Sequence, residues 1–144
     1  MKLMRSIGLV AMLAAVALVS ADAQSLKVRQ LMESADKDFA RQADPLNDKC
    51  GTKMTAKIDW ANAVEDDVTH YTVASYCEAG TKAINRVCNN PTGKKAVMEK
   101  IKTVTCGFGK EPSMSLKDGA LDYKITFQQS KDEEFFFQYL EDHL

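Results

Sequence analysis

The spacing of apolar residues changes period several times between residues 24 and 144, and each change marks a predicted element. Val28, Leu31, Met32, Ala35 and Phe39 recur at helical spacing and form a narrow apolar stripe. Ser25 is placed to cap that helix, and Asp44-Pro45 ends it or the loop behind it. Residues 41–53 read as a polar connection carrying Cys50 and Gly51. From Met54 the period falls to two: Met54, Ala56, Ile58 and Trp60 face one way, and Thr55, Lys57 and Asp59 the other, as in a half-buried strand. Glu65-Asp66-Asp67 reads as a solvated loop.

A second helix is predicted over residues 72–88, with Val73, Tyr76, Cys77, Gly80, Ile84, Val87 and Cys88 along one side. Gly80 weakens it by about 1 kcal/mol relative to alanine and marks a place for a small irregularity. Asn89 to Gly93 breaks the chain, and a short third helix turns Val97, Met98 and Ile101 inward. Val104, Cys106 and Phe108 then alternate with Thr103, Thr105 and Gly107 as a second strand.

Asp118-Gly119 is the dipeptide of a two-residue type I′ hairpin, in which both central residues need positive φ. That turn pairs Leu116 with Leu121 and Met114 with Tyr123, and Ile125 and Phe127 continue the same face. Ser130-Lys131-Asp132-Glu133 reads as a capping box for a last helix that buries Phe136, Leu140 and Leu144, widened by Phe135 or Tyr139.

The expected fold is α+β, in the order α-β-α-α-β-β-β-α. A four-stranded, mainly antiparallel sheet packs one face on helices. The expected core centres on Trp60, Ile84, Val104, Phe108, Tyr123, Ile125, Phe127, Phe136 and Leu140.

Residues 1–23 have the form of an export signal. Lys2 and Arg5 lead, Ile7 to Val19 carries no charge, and Ala21-Asp22-Ala23 supplies the small residues of a cleavage site. The apolar run falls short of the roughly 20 residues of a membrane helix. The expected product, cut between Ala23 and Gln24, is a single domain over residues 24–144. It is periplasmic or secreted, with no membrane span. No cysteine stands at the cut to take a lipid, and the compact signal is of bacterial type. Asn90-Pro91-Thr92 is barred from N-glycosylation by its proline.

In that compartment Cys50, Cys77, Cys88 and Cys106 are expected to pair. A continuous helix over 72–88 holds Cys77 and Cys88 about 16 Å apart along its axis, beyond the reach of a bridge. Two connectivities remain. If the first strand runs up, the second helix down, the third up and the second strand down, Cys50–Cys88 with Cys77–Cys106 is favoured. Cys50–Cys77 with Cys88–Cys106 closes smaller loops and takes over if the second helix lies across the sheet. Cys-x-x-Cys and zinc-ribbon spacings are both lacking, so the cysteines read as structural.

With 19 Lys and Arg against 20 Asp and Glu, the chain lacks the clustered positive charge that nucleic acid demands. Losing Lys2, Arg5 and Asp22 with the signal moves the formal charge from −1 to −2. No cofactor motif is present. His70 follows Glu65, Asp66 and Asp67, but the regular ligand spacing and turn glycine of a calcium loop are missing, so no metal is expected. His143 is explained by the last turn of its helix.

Three functions follow. The leading one is a non-enzymatic binding, accessory or inhibitor module for an extracytoplasmic protein or polar ligand. It would use the outer sheet face of Thr55, Lys57, Asp59, Thr103, Thr105, Lys124, Thr126 and Gln128, with Ser113, Ser115, Lys117 and Asp122 on the same side. Against it stands a small exported hydrolase with acids around Asp59, Asp66, Asp67 and His70, although no nucleophile motif accompanies them. The third is an envelope component that self-associates through the first helix.

Overall fold

The structure is a computed structural model and describes residues 11–144, with side chains from Leu26 onward. The export signal expected over residues 1–23, and the cut expected between Ala23 and Gln24, lie outside the residues described in full. The backbone is helical over α1 (Ala11–Arg41), which takes in Ser25, so no helix starts there. After Gln42 comes α2 (Ala43–Cys50), in a stretch expected to be a loop. Pro45 is tolerated because it sits in the first turn, where a backbone N–H has no partner inside the helix. Gly51, at φ 70°, ends α2 by donating its N–H to the Asn47 carbonyl. The Asn47 side chain then holds the next segment, accepting from the Met54 N–H at 2.7 Å and donating to the Met54 carbonyl at 2.9 Å.

Strand β1 (Thr55–Ile58) is followed by α3 (Glu65–His70), α4 (Val73–Val87) and α5 (Pro91–Lys100). The acidic triplet expected in a loop forms the first turn of α3, where carboxylates meet the positive end of the helix. Asn90 caps α5, its side chain accepting from the Gly93 N–H at 2.7 Å, with Pro91 at the first helical position. On α5, Val97 and Ile101 at its C-cap are buried while Met98 stays exposed, against expectation. The chain continues through β2 (Thr103–Phe108), β3 (Ser113–Lys117), β4 (Ala120–Ile125) and α6 (Gln129–His143).

The sheet order is β1-β2-β4-β3. β1 runs parallel to β2 and β2 parallel to β4; only β3 and β4 are antiparallel. The expectation of a mainly antiparallel sheet is therefore corrected to a mixed, mostly parallel one. Connection length is the reason. Three helices separate β1 from β2, ample for the crossover that parallel strands need, whereas a two-residue turn joins β3 to β4. That turn has Asp118 at φ 52° and Gly119 at φ 83°, and Leu116 faces Leu121 with Met114 facing Tyr123.

The start of α6 also departs from the capping-box reading. Gln128 is the N-cap, and the chain reaches it through Phe127 at φ 61°. Asp132 is 1% exposed, and its carboxylate turns back to accept from the Thr126 N–H and hydroxyl, both at 2.7 Å. A buried carboxylate holding two donors fixes the turn that the positive φ requires.

α4 and α6 pack on each other and on the sheet, while α1 packs on β1 and α4. One buried cluster joins Phe39, Ile84, Val104, Leu121, Tyr123, Ile125, Phe136 and Leu140, with Trp60 and Phe127 partly buried at its border. Trp60, Phe108, Phe127, Tyr71 and Tyr76 form a run of aromatic rings with successive centroids 4.5–5.9 Å apart.

The bridges are Cys50–Cys88, tying the end of α2 to the end of α4, and Cys77–Cys106, tying α4 to β2. Two disulfides suit an oxidising, extracytoplasmic environment. The up-down path from which this pairing was favoured is not the one adopted, because β2 runs parallel to β1.

Candidate binding face

The strand registers place the outward residues in transverse rows. Lys57 lies beside Thr105, Thr105 beside Asp122, and Asp122 beside Ser115. The next row toward the carboxyl ends of the parallel strands is Asp59, Gly107, Lys124 and Ser113. A third row, on the other side of the first, holds Thr55, Thr103, Ala120 and Lys117. Along β1, β3 and β4 the exposed and buried positions alternate, so the helices cover one face and leave the other open; on the central β2, Thr103 and Thr105 are half-buried and Gly107 is buried.

The first two rows line a groove of about 600 Å³. Its floor is β2, where Thr105 is short and Gly107 has no side chain at all. Its sides rise on Lys57 and Asp59 of the β1 segment and on Asp122 and Lys124 of β4. Gly107 is itself buried, and a Cβ there would rest in ordinary contact with the Tyr123 carbonyl at 3.7 Å, the Lys124 stem at 3.8 Å and the Asp59 carbonyl at 3.9 Å. None of the four charged side chains belongs to an ion pair among the described residues. Asp59 accepts from the Ala61 N–H at 3.0 Å.

What lies beneath makes this face rigid. Cys77 of α4 holds both central strands: its sulfur is bonded to Cys106 of β2, and its carbonyl accepts from the Tyr123 hydroxyl of β4 at 2.5 Å. Cys106 sits between Thr105 and Gly107, and Tyr123 between Asp122 and Lys124. The covalent and hydrogen-bonded anchors are thus one residue from the groove side chains. Burial raises the Tyr123 phenol well above its ordinary range, so it stays a protonated donor.

Of the expected face residues, Lys57, Asp59, Thr105 and Lys124 line the groove, and Thr55 and Thr103 lie in the adjoining row. Thr126 and Gln128 do not belong to the face. β4 ends at Ile125, Thr126 is committed to Asp132, and Gln128 begins α6. Gly107 was missed as a binding feature. The alternation that turns Cys106 inward also turns Gly107 outward, which is the signal that pointed to it.

Asp59 and His70 line different concavities. His70 belongs to α3 and borders a smaller cleft of about 220 Å³ with Leu31, Asp38 and Tyr71. Its Nδ1 lies 3.2 Å from the Asp66 carbonyl of its own helix. Asp66 and Asp67 sit in the first turn of that helix. Among the described residues, no group of three His, Cys, Asp or Glu side chains could hold a metal ion. On α1, Phe39 is fully buried and Ala35 packs on the core, while Leu31 is 37% and Leu26 50% exposed.

No family model, no curated protein and no solved structure matches this chain.

Proposed function

We propose that this protein is an exported, disulfide-stapled binding or accessory module of the periplasm or extracellular space. It is non-enzymatic, consists of one domain over residues 24–144, and engages an extracytoplasmic protein through its outer sheet face. The observation that carries the reading is a groove of about 600 Å³ with four charged side chains that form no ion pair among the described residues, built on strands anchored to α4 through Cys77. Charges of both signs on a rigid, hydroxyl-rich face favour a partner with its own mixed charges over a polyanion.

The test is capture of envelope proteins by the oxidised chain, compared with Lys57→Glu/Lys124→Glu. The double variant is expected to lose the specific partner while keeping its melting temperature. Retention of every captured protein would refute the role of this face.

A further inference from the structure

We infer that the partner of the outer face is a second copy of this chain, docked face to face about a two-fold axis perpendicular to the strands. The inference rests on the reading of that face as a docking surface and names its occupant. It follows from the order of charges. Lys57 and Asp59 are two residues apart beside one edge, about 6.7 Å, and Asp122 and Lys124 repeat that spacing two strands away, about 9.6 Å. The signs form a checkerboard: positive and negative across the row of Thr105, negative and positive across the row of Gly107.

A checkerboard is complementary to itself. A two-fold axis in the plane of contact, lying between the two rows, exchanges them while keeping each strand over its counterpart. Lys57 then meets the Asp59 of the other copy, and Asp122 meets its Lys124, which makes four opposite-charge contacts per dimer. The same operation twice sets Thr105 over Gly107, which carries no side chain, and brings Ser113 against Ser115. Charge and shape therefore select one operator. An axis parallel to the strands would also pair the charges, but it would stack Thr105 on Thr105 and glycine on glycine.

Four strands by about 17 Å give a flat footprint of about 300 Å², below the roughly 800 Å² per partner of stable complexes. The dimer is accordingly weak, forms on the order of 100 μM and above, and dissolves as salt screens its charges.

The experiment is sedimentation equilibrium of the protein purified after export, with both disulfides formed, from about 10 μM to 1 mM at low salt. The wild-type mass is expected to double across that range. Lys57→Glu/Lys124→Glu, with four acids on the face, and Asp59→Lys/Asp122→Lys, with four bases, should each stay monomeric. Mixed in equal amounts, they should form a heterodimer. The exchange Lys57→Asp/Asp59→Lys should still dimerise, because it preserves opposition under this axis and creates like-charge contacts under the parallel one.

A wild-type mass that stays monomeric at 1 mM overturns the inference; if Lys57→Glu/Lys124→Glu still loses an envelope partner, the docking face itself survives with a different occupant. A dimer indifferent to both charge variants overturns it too, and so does a mixture that remains monomeric.

Discussion

Gly80→Ala should destabilise the protein although it improves a helix. In the middle of α4 alanine gains about 1 kcal/mol over glycine, so propensity alone predicts a more stable variant. Here a Cβ would stand 2.2, 2.3 and 2.7 Å from three carbons of the Tyr123 ring. The ring would have to retreat by about 1 Å to reach ordinary contact near 3.5 Å. It is not free to do so. Tyr123 is 2% exposed, packs on Phe136 with centroids 4.9 Å apart, and donates its hydroxyl to the Cys77 carbonyl. Overpacking costs about 1–3 kcal/mol, and a buried hydroxyl pulled off its acceptor about as much again. After the gain in propensity, a net loss of about 1–5 kcal/mol is expected. For a chain of this size that lowers the melting temperature by about 4–20 °C. Urea denaturation of the oxidised protein, followed by far-ultraviolet circular dichroism, measures it. In a Tyr123→Leu background the sign should reverse, and Gly80→Ala should stabilise by up to about 1 kcal/mol. Gly80→Ala as stable as the parent in the wild-type background would refute the packing argument.

Asp132→Ala leaves the half-buried Thr126 N–H and hydroxyl without their acceptor beside a residue at positive φ; a loss of about 1–3 kcal/mol in urea is expected. Tyr123 predicts an alkaline limit. Its phenol ionises later in the folded state than in the unfolded one, whose ordinary value is 10.0, so its stabilisation is whole below pH 10 and fades as pH climbs above it. Unfolding free energies from pH 8 to 11 should fall more steeply for wild type than for Tyr123→Phe; parallel curves would refute the assignment. Replacing either cysteine pair by serine opens loops with sequence separations of 38 and 29, worth about 3.5–4 kcal/mol each by chain entropy. Cys77→Ser/Cys106→Ser and Cys50→Ser/Cys88→Ser should each lose about that much in denaturant titrations, and a variant as stable as the parent would refute the structural role of its bridge.

Elements whose signals are local were legible in the residues. The Asp118-Gly119 turn dictated both the hairpin and its register, and alternation in 103–108 separated Cys106 from its outward neighbours. The helix over 73–87 announced itself by its apolar side, but the role of Gly80 did not. Its lack of a side chain serves a ring 43 positions later in the chain, and α4 runs through it unbroken. Strand direction was likewise out of reach, because alternation reads the same in either direction and only the crossover length distinguishes them. Asp132 looked like part of a cap because the serine three before Glu133 matched a local motif; the preference for the Thr126 donors is settled by the turn at Phe127. For the outer face, two-residue periodicity identified Lys57, Asp59, Thr105 and Lys124. It overran the end of β4 at Thr126 and Gln128, where the backbone leaves the sheet.

The order β1-β2-β4-β3 has a bearing on how the chain matures. The last strand made is not at the rim; it is inserted between its two predecessors and supplies Leu121, Tyr123 and Ile125 to the interior. A polypeptide made amino end first therefore cannot complete its sheet until residue 125 has arrived. Until then β2 and β3 have no common neighbour to hold them in place. Both thiol pairs, complete by Cys106, are available for oxidation before that moment, so an oxidant acts on a chain still lacking its keystone.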